Sequence, residues 1–441
     1  MRAIPLILAA AVLTAFAAQA DDLSAVVRKA KVEVLAAPKL DAAVVEALKQ
    51  NAAVSIAAQS GLWYEVKLPD GKTGFVRVND VRMNYASVED GGANLGALTS
   101  GKAGAGRVTE TAGVRGIDES ELKAATFNQA QYDAMVANRA DTAAAAAYAD
   151  GHGWQATAVE WDAEAKPKKD DKKASKSSSS GTGTLQGLSG MLGSLGQKAS
   201  TVLGTASKVA PKSEAEQAAE ELALGPQIAG CVLGARALWN DTGAQKRVNV
   251  VGRWVASQTT RPDLPWTFGV IDTPEVNAFA APGGYVLVTR GLYELLASDA
   301  ELAAVLGHEI SHAVERDHYN VIRKQELTTA GKDVVAGEVD VGAGVAENYA
   351  KQYVEQHGAA ILVTSLDRQA EFRSDKAAEI YLARSGMNPM ALYSVLQKMM
   401  ALGQQSASLA ALYRTHPPLD ARLDRIDERG YGALKPYIAR E

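Results

Sequence analysis

The chain has 441 residues, 47% of them apolar and 22% charged, the balance of a soluble globular protein with room for two to four domains. A formal charge of -5 argues against nucleic acid or anionic lipid as the main partner. Cys231 is the only cysteine, which excludes an intrachain disulfide, and its small apolar neighbours point to a buried, inert thiol.

Residues 1–20 read as a secretory signal: Arg2, an apolar run from Ile4 to Ala18, then Ala18-Gln19-Ala20 as a small-residue cleavage site. No cysteine lies near the cut, so a lipid anchor is not expected. The chain without the signal carries -6, because Arg2 leaves with it. The next longest apolar stretch, Leu222 to Trp239, contains Pro226, Arg236 and several glycines, which fits a core helix better than a membrane span. The expectation is a periplasmic or secreted protein with no transmembrane span.

Residues 21–88 read as a small all-β unit. Val32/Val34, Val54/Ile56, Val66/Leu68 and Phe75/Val76/Val78 mark short strands, with a turn at Pro69-Asp70-Gly71-Lys72. The segments Gly61-Leu62-Trp63-Tyr64-Glu65-Val66-Lys67 and Asp70-Gly71-Lys72-Thr73-Gly74-Phe75-Val76 resemble bacterial SH3-like domains. That resemblance implies a peptidoglycan or peptide ligand. Trp63 and Tyr64 either line a groove for it or belong to the core.

Residues 89–107 are Gly/Ala/Ser-rich and read as a linker. Residues 108–163 form a small accessory region, mostly helical: Asp118 to Leu122 opens a helix, Thr126 to Ala149 is helical in composition, and Thr157 to Trp161 is a candidate strand. His152 has no evident partner there. Residues 164–210 pass from Lys/Asp to a serine run at Ser177 to Ser180 and then to Gly/Leu/Ser. Such composition buries too little apolar surface to order itself and reads as a disordered linker.

The remaining segment, 211–441, is mostly helical with one hairpin-like strand region, an α+β pattern. His308-Glu309-Ile310-Ser311-His312 lies on a helix that Ser298 and Glu301 can cap and that Leu302, Val305, Leu306, Ile310 and Ala313 can pack. Four residues apart, His308 and His312 share a face and can grip one Zn²⁺, with Glu309 beside them as a carboxylate base for water. A third ligand, carboxylate or histidine, must come from another element. Glu371 and Asp375 are i,i+4 neighbours on a helix running from Leu366 to Ser385. His416 opens Thr415-His416-Pro417-Pro418-Leu419, a loop leading into a helix from Asp420 to Glu428.

These motifs, from Glu220 through His312, around Glu371 and at His416-Pro417-Pro418, resemble the M48 metallopeptidases of the gluzincin group. The resemblance implies a zincin-type fold with Glu371 as third zinc ligand and Asp375 supporting a ligand histidine. Ser374 replaces the family's common Ala. Asn277-Ala278-Phe279-Ala280 would form an edge strand that holds substrate backbone, unless Pro282-Gly283-Gly284 only makes a structural turn. His416, with Arg422 on the next helix, would either stabilise an oxyanion or reach the zinc as an inhibitory fourth ligand. His318, six residues past His312, rotates away from the metal face and reads with His357 as structural. The expected function is a zinc-dependent endopeptidase, with one Zn²⁺ per chain and Glu309 as base, acting on misfolded or unassembled cell-envelope proteins. The alternative is a chaperone-like adaptor that binds cell-wall or envelope partners through its SH3-like unit.

Overall fold

The computed structural model describes residues 23–83, 119–164, 212–333, 345–403 and 406–440. The signal peptide and the linkers expected at 89–107 and 164–210 lie outside these, apart from Glu164.

Seven strands open the fold: β1 (Leu23–Val27), β2 (Lys31–Leu35), β3 (Val44–Lys49), β4 (Ala53–Ser60), β5 (Trp63–Lys67), β6 (Thr73–Arg77) and β7 (Val81–Met83). They make one antiparallel sheet in the order β3-β2-β6-β5-β4-β1-β7. The expected turn is there: Leu68 donates its N–H to the Lys72 carbonyl (2.8 Å), and Gly71 donates to the Leu68 carbonyl (2.9 Å). Of the two readings for Trp63 and Tyr64, burial favours the core. Tyr64 is fully buried and Trp63 nearly so, with Arg77 lying 5.5 Å from the Trp63 ring centre. Alternation along β5 sends Tyr64 and Val66 into the core that the sheet shares with the helical region.

Three helices follow, α1 (Glu119–Ala124), α2 (Gln129–Ala137) and α3 (Thr142–Gly151), broken where Asn128 and Asp141 cap the second and third. The strand expected over Thr157 to Trp161 does not form. Arg384 takes the Val159 carbonyl with its guanidinium, and the Arg384 carbonyl takes the Thr157 N–H, so that segment pairs with a helix end instead.

The rest is α4 (Glu214–Ala235), α5 (Thr242–Ala256), β8 (Thr267–Ile271), β9 (Ala278–Ala281), β10 (Tyr285–Thr289), α6 (Arg290–Leu295), α7 (Asp299–Val314), α8 (Asp317–Asp333), α9 (Val345–His357), α10 (Arg368–Arg384), α11 (Ala391–Met400), α12 (Ala410–Thr415), α13 (Leu419–Arg429) and α14 (Lys435–Ile438). Helix α4 absorbs Pro226 and buries Cys231, whose thiol burial pushes up to about 11. Among the described residues no helix is long and apolar enough to cross a membrane.

Strands β8, β10 and β9 form a second sheet in that order, with β8 parallel to β10 and β9 on the edge. Val286 and Val288 face one apolar core while Tyr285 and Leu287 face another, so the strand is buried on both sides and reads as a continuous apolar run. Gly283 (φ 71°) and Gly284 (φ 91°) supply the left-handed turn between β9 and β10.

The first sheet is fastened to the helices by buried polar contacts. Gln397 of α11 donates to the carbonyls of Val78 (2.8 Å) and Val81 (3.2 Å) and accepts from the Met83 N–H (3.1 Å). Arg82 reaches Asp424 (3.1 Å) and Asp427 (2.6 Å) on α13. Gln59 donates to Ser394, which donates to Glu301, and Lys398 completes the chain with a fully buried ion pair to Glu301 (2.8 Å).

Candidate metal centre

Helix α7 starts as its sequence requires, with Ser298 accepting from the Glu301 N–H (3.2 Å). The Glu301 carboxylate departs from the capping-box pattern: it takes the Ala297 N–H (2.7 Å), Ser394 and Lys398. The expected apolar stripe understates the burial, since every residue from Glu301 to Val314 is buried. Helices α5, α10 and α11 and the second sheet cover it on all sides.

On this helix the Nε2 atoms of His308 and His312 stand 3.2 Å apart. Helix α10, capped by Asp367, brings Glu371 opposite, with Oε2 3.5 Å from His308 Nε2 and Oε1 3.6 Å from His312 Nε2. Two ligands about 2.0–2.1 Å from a tetrahedral zinc stand about 3.3 Å apart, close to these spacings. Glu371 is 1% exposed, and neither carboxylate oxygen has a hydrogen-bond partner among the described residues. An orphaned buried carboxylate of this kind is costly unless a cation satisfies it, so the donor set fits a divalent metal. The pocket favours positive charge: burial and Arg422 disfavour a charged His308, yet Asp375 and Glu371 outweigh them and raise it to about 9.

Each imidazole is held from behind. His308 Nδ1 lies 3.0 Å from Asp375 Oδ1, and His312 Nδ1 lies 2.8 Å from Asp317 Oδ2, so both rings direct Nε2 inward. Ser374 contributes a further contact to His312 Nδ1 (3.3 Å). Asp317 was not foreseen. Helix α7 ends at Val314, and Arg316 turns the chain with a left-handed φ of 58°, so helical periodicity cannot place the next residue. The same turn corrects the expectation for His318, which lines the metal cavity with its ring 6.2 Å from His312. Burial, with His312 beside it, lowers its pKa to about 4.

Glu309 is buried beside the cluster, and burial raises its pKa against the pull of the histidines. His416 Nε2 lies 3.8 Å from both Glu309 Oε1 and Glu371 Oε2, within the group of potential ligand atoms that all lie within 4.8 Å of one another. Burial lowers its pKa to about 3 against the opposing effect of Glu371, which leaves a neutral ring able to ligate. The His416 Nδ1 contacts Thr415 Oγ1 (2.7 Å). Arg422 grips Asp375 with its fork (3.0 and 2.5 Å) behind His308, and its Nη2 lies 3.3 Å from His308 Nδ1.

The remaining cavity is about 10 Å³, room for about one water, between β9 and the segment Leu362 to Leu366. Ala278 and Phe279 line it, whereas Ala280 and Asn277 do not. Asn277 is fully buried with its backbone tied to Thr289, so it offers no surface to a peptide in this state. His152 has partners that its sequence context concealed: it stacks on Tyr148 and stands 3.7 Å from Asp299 at the start of α7. His357 is structural as expected, bonded to the Tyr353 carbonyl (3.0 Å).

The sequence profile of peptidase family M48 matches residues 243–430. The beta-barrel assembly-enhancing protease of Escherichia coli (strain K12) is 27% identical over 225 residues, 50% of this chain and 45% of that protein. The mitochondrial metalloendopeptidase OMA1 of Arabidopsis thaliana is 31% identical over 154 residues, 35% of this chain and 29% of that protein. The metalloprotease LoiP of Escherichia coli is 25% identical over 167 residues, 37% of this chain and 63% of that protein. The chain thus spans about half the length, or less, of most of these relatives.

Proposed function

We propose that the chain is a zinc-dependent endopeptidase whose metal is held by His308, His312 and Glu371, a reading supported by the match of residues 243–430 to peptidase family M48. The observation that carries this reading is the buried Glu371 carboxylate, unpartnered and 3.5 to 3.6 Å from two inward-facing Nε2 atoms. Zinc suits a set of two imidazoles and one carboxylate, and would supply Lewis acidity to water and to the scissile carbonyl. The chain's own residues do the rest. Asp375 and Asp317 hold the Nδ1 protons of His308 and His312, which fixes the tautomers and keeps Nε2 free to ligate. Glu309, with its raised pKa, takes a proton from water in the cavity and delivers it to the leaving amine nitrogen. The edge position of β9 lets Ala278 and Phe279 present backbone to an extended peptide once the Leu362–Leu366 cover is displaced.

His416 acts as a fourth ligand that holds this state closed. Support comes from its place among the ligand atoms and from a cavity too small for a peptide. The substrates are unfolded or misassembled cell-envelope proteins met in the periplasm or outside the cell. The signal-like residues 1–20 and the similarity to the beta-barrel assembly-enhancing protease of Escherichia coli support that assignment. Chelator competition tests the metal: one zinc per wild-type chain, and weaker binding in Glu371→Ala, where only the histidines remain. Casein cleavage tests the closed state: His416→Ala should cleave faster than wild type. Zinc bound as tightly by Glu371→Ala as by wild type would refute the ligand set, and slower cleavage by His416→Ala would refute the closing role.

A further inference from the structure

Glu221, on α4, is fully buried and lies outside the metal cluster, yet four donors converge on it. Arg261 binds it through both terminal nitrogens (2.8 and 2.7 Å), Arg316 Nε donates to it (2.9 Å), and the Gly283 N–H donates at 3.3 Å. Arg261 also donates to the Ala313 carbonyl (3.0 Å) at the C-terminal end of α7, which the Arg316 N–H reaches as well (3.2 Å). One carboxylate therefore ties together, partly through Arg261, the end of the zinc helix, the second residue after it and the tip of the β9–β10 hairpin.

Arg316 is where this matters for the metal. Its φ of 58° is a left-handed conformation that costs a non-glycine residue about 1–2 kcal/mol. The turn it makes delivers the next residue, Asp317, to His312 Nδ1 at 2.8 Å, where Arg373 also grips the carboxylate (2.6 and 2.8 Å). If Arg316 relaxed to a negative φ, the start of α8 would swing and His312 would lose the acceptor that orients Nε2. Neighbouring Glu220 reinforces the same junction by accepting from Tyr319 (2.8 Å) on α8. We infer that Glu221 and Arg316 are positioning residues for the zinc site: Glu221 clamps Arg316 in a strained turn, and the turn sets Asp317 against His312. This rests on the zinc reading proposed above and adds to it residues that touch neither metal nor substrate.

The test compares zinc affinity, by competition with a chelating indicator, for the full chain and for Arg316→Ala, Arg316→Gly and Glu221→Gln, each checked for folding by circular dichroism. Alanine keeps the strain and loses the clamp, so its affinity should fall about tenfold, the lower end of the usual effect of losing a partner that orients a metal ligand. Glycine adopts the same φ without strain, so Arg316→Gly should stay within about twofold of wild type. Glu221→Gln should resemble Arg316→Ala, and adding Arg316→Gly to it should restore affinity. A merely structural role would lower melting temperature without separating alanine from glycine at 316. Equal zinc affinity for those two variants overturns the proposal while leaving the zinc reading intact. A wild-type chain that binds no zinc overturns both. Should Glu221→Gln fail to fold, the two variants at 316 still decide the matter.

Discussion

Replacing Asp375 by asparagine separates two jobs that one carboxylate performs. Asp375 and Arg422 are 2% and 3% exposed and share two hydrogen bonds of 3.0 and 2.5 Å, while the same carboxylate lies 3.0 Å from His308 Nδ1. Asp375→Asn leaves the Arg422 charge buried without its counter-ion, which costs about 3–5 kcal/mol. In a domain of this size that lowers the melting temperature by about 10 °C. It also weakens the hold on His308, reducing zinc affinity by about 10–100-fold. Thermal unfolding in excess chelator reads the first effect alone, and chelator competition reads the second. The double variant Asp375→Asn with Arg422→Met removes both charges, so it should melt above the single variant while zinc affinity stays low. Metal-free Asp375→Asn melting together with wild type would refute the reasoning.

Other consequences follow from the same structure. Lys398→Met strands the buried Glu301 carboxylate near the start of α7 and should cost about 3–5 kcal/mol in chemical denaturation; a loss below about 1 kcal/mol would contradict the buried pair. Arg82→Ala removes contacts to Asp424 and Asp427, and amide exchange in β6 and β7 should quicken while α10 keeps its protection. In the metal-free protein, burial raises the Asp317 pKa but His312 and Arg373 outweigh it and hold the carboxyl below its usual range. A depressed folded-state pKa stabilises above the ordinary aspartate value of about 4, and that stability is lost as pH falls through the folded-state pKa. Urea midpoints of the wild type should therefore fall more steeply with acid than those of Asp317→Asn. Parallel curves would contradict this.

The metal helix, the Glu371 helix, and the strand–turn–strand at 276–289 were legible in the sequence because each carries its own signal: i,i+4 histidines, i,i+4 carboxylates, and an apolar run around Pro282-Gly283-Gly284. The helix from Leu366 to Ser385 is observed as Arg368–Arg384. What escaped depends on contacts between distant segments. Strand β8 is buried on all its positions and has no alternation to reveal it. Asp317 and His318 follow a left-handed arginine, a conformation that sequence favours only at glycine or asparagine. The burial of Arg422 against Asp375 and of Tyr64 beneath Gln397 likewise joins segments far apart in the chain, which no local pattern reveals. Local sequence conveys chemical capacity; which side chain faces the cavity is decided by packing.

The most direct test of the central claim compares casein cleavage by the wild-type chain, by His416→Ala and by His416→Ala carrying Glu309→Gln, with bound zinc quantified in each. The account predicts cleavage by His416→Ala that is abolished by Glu309→Gln, with about one zinc retained per chain, because Glu309 moves the proton and does not hold the metal. Undiminished cleavage with Glu309→Gln, or no zinc in the wild-type chain, would contradict it.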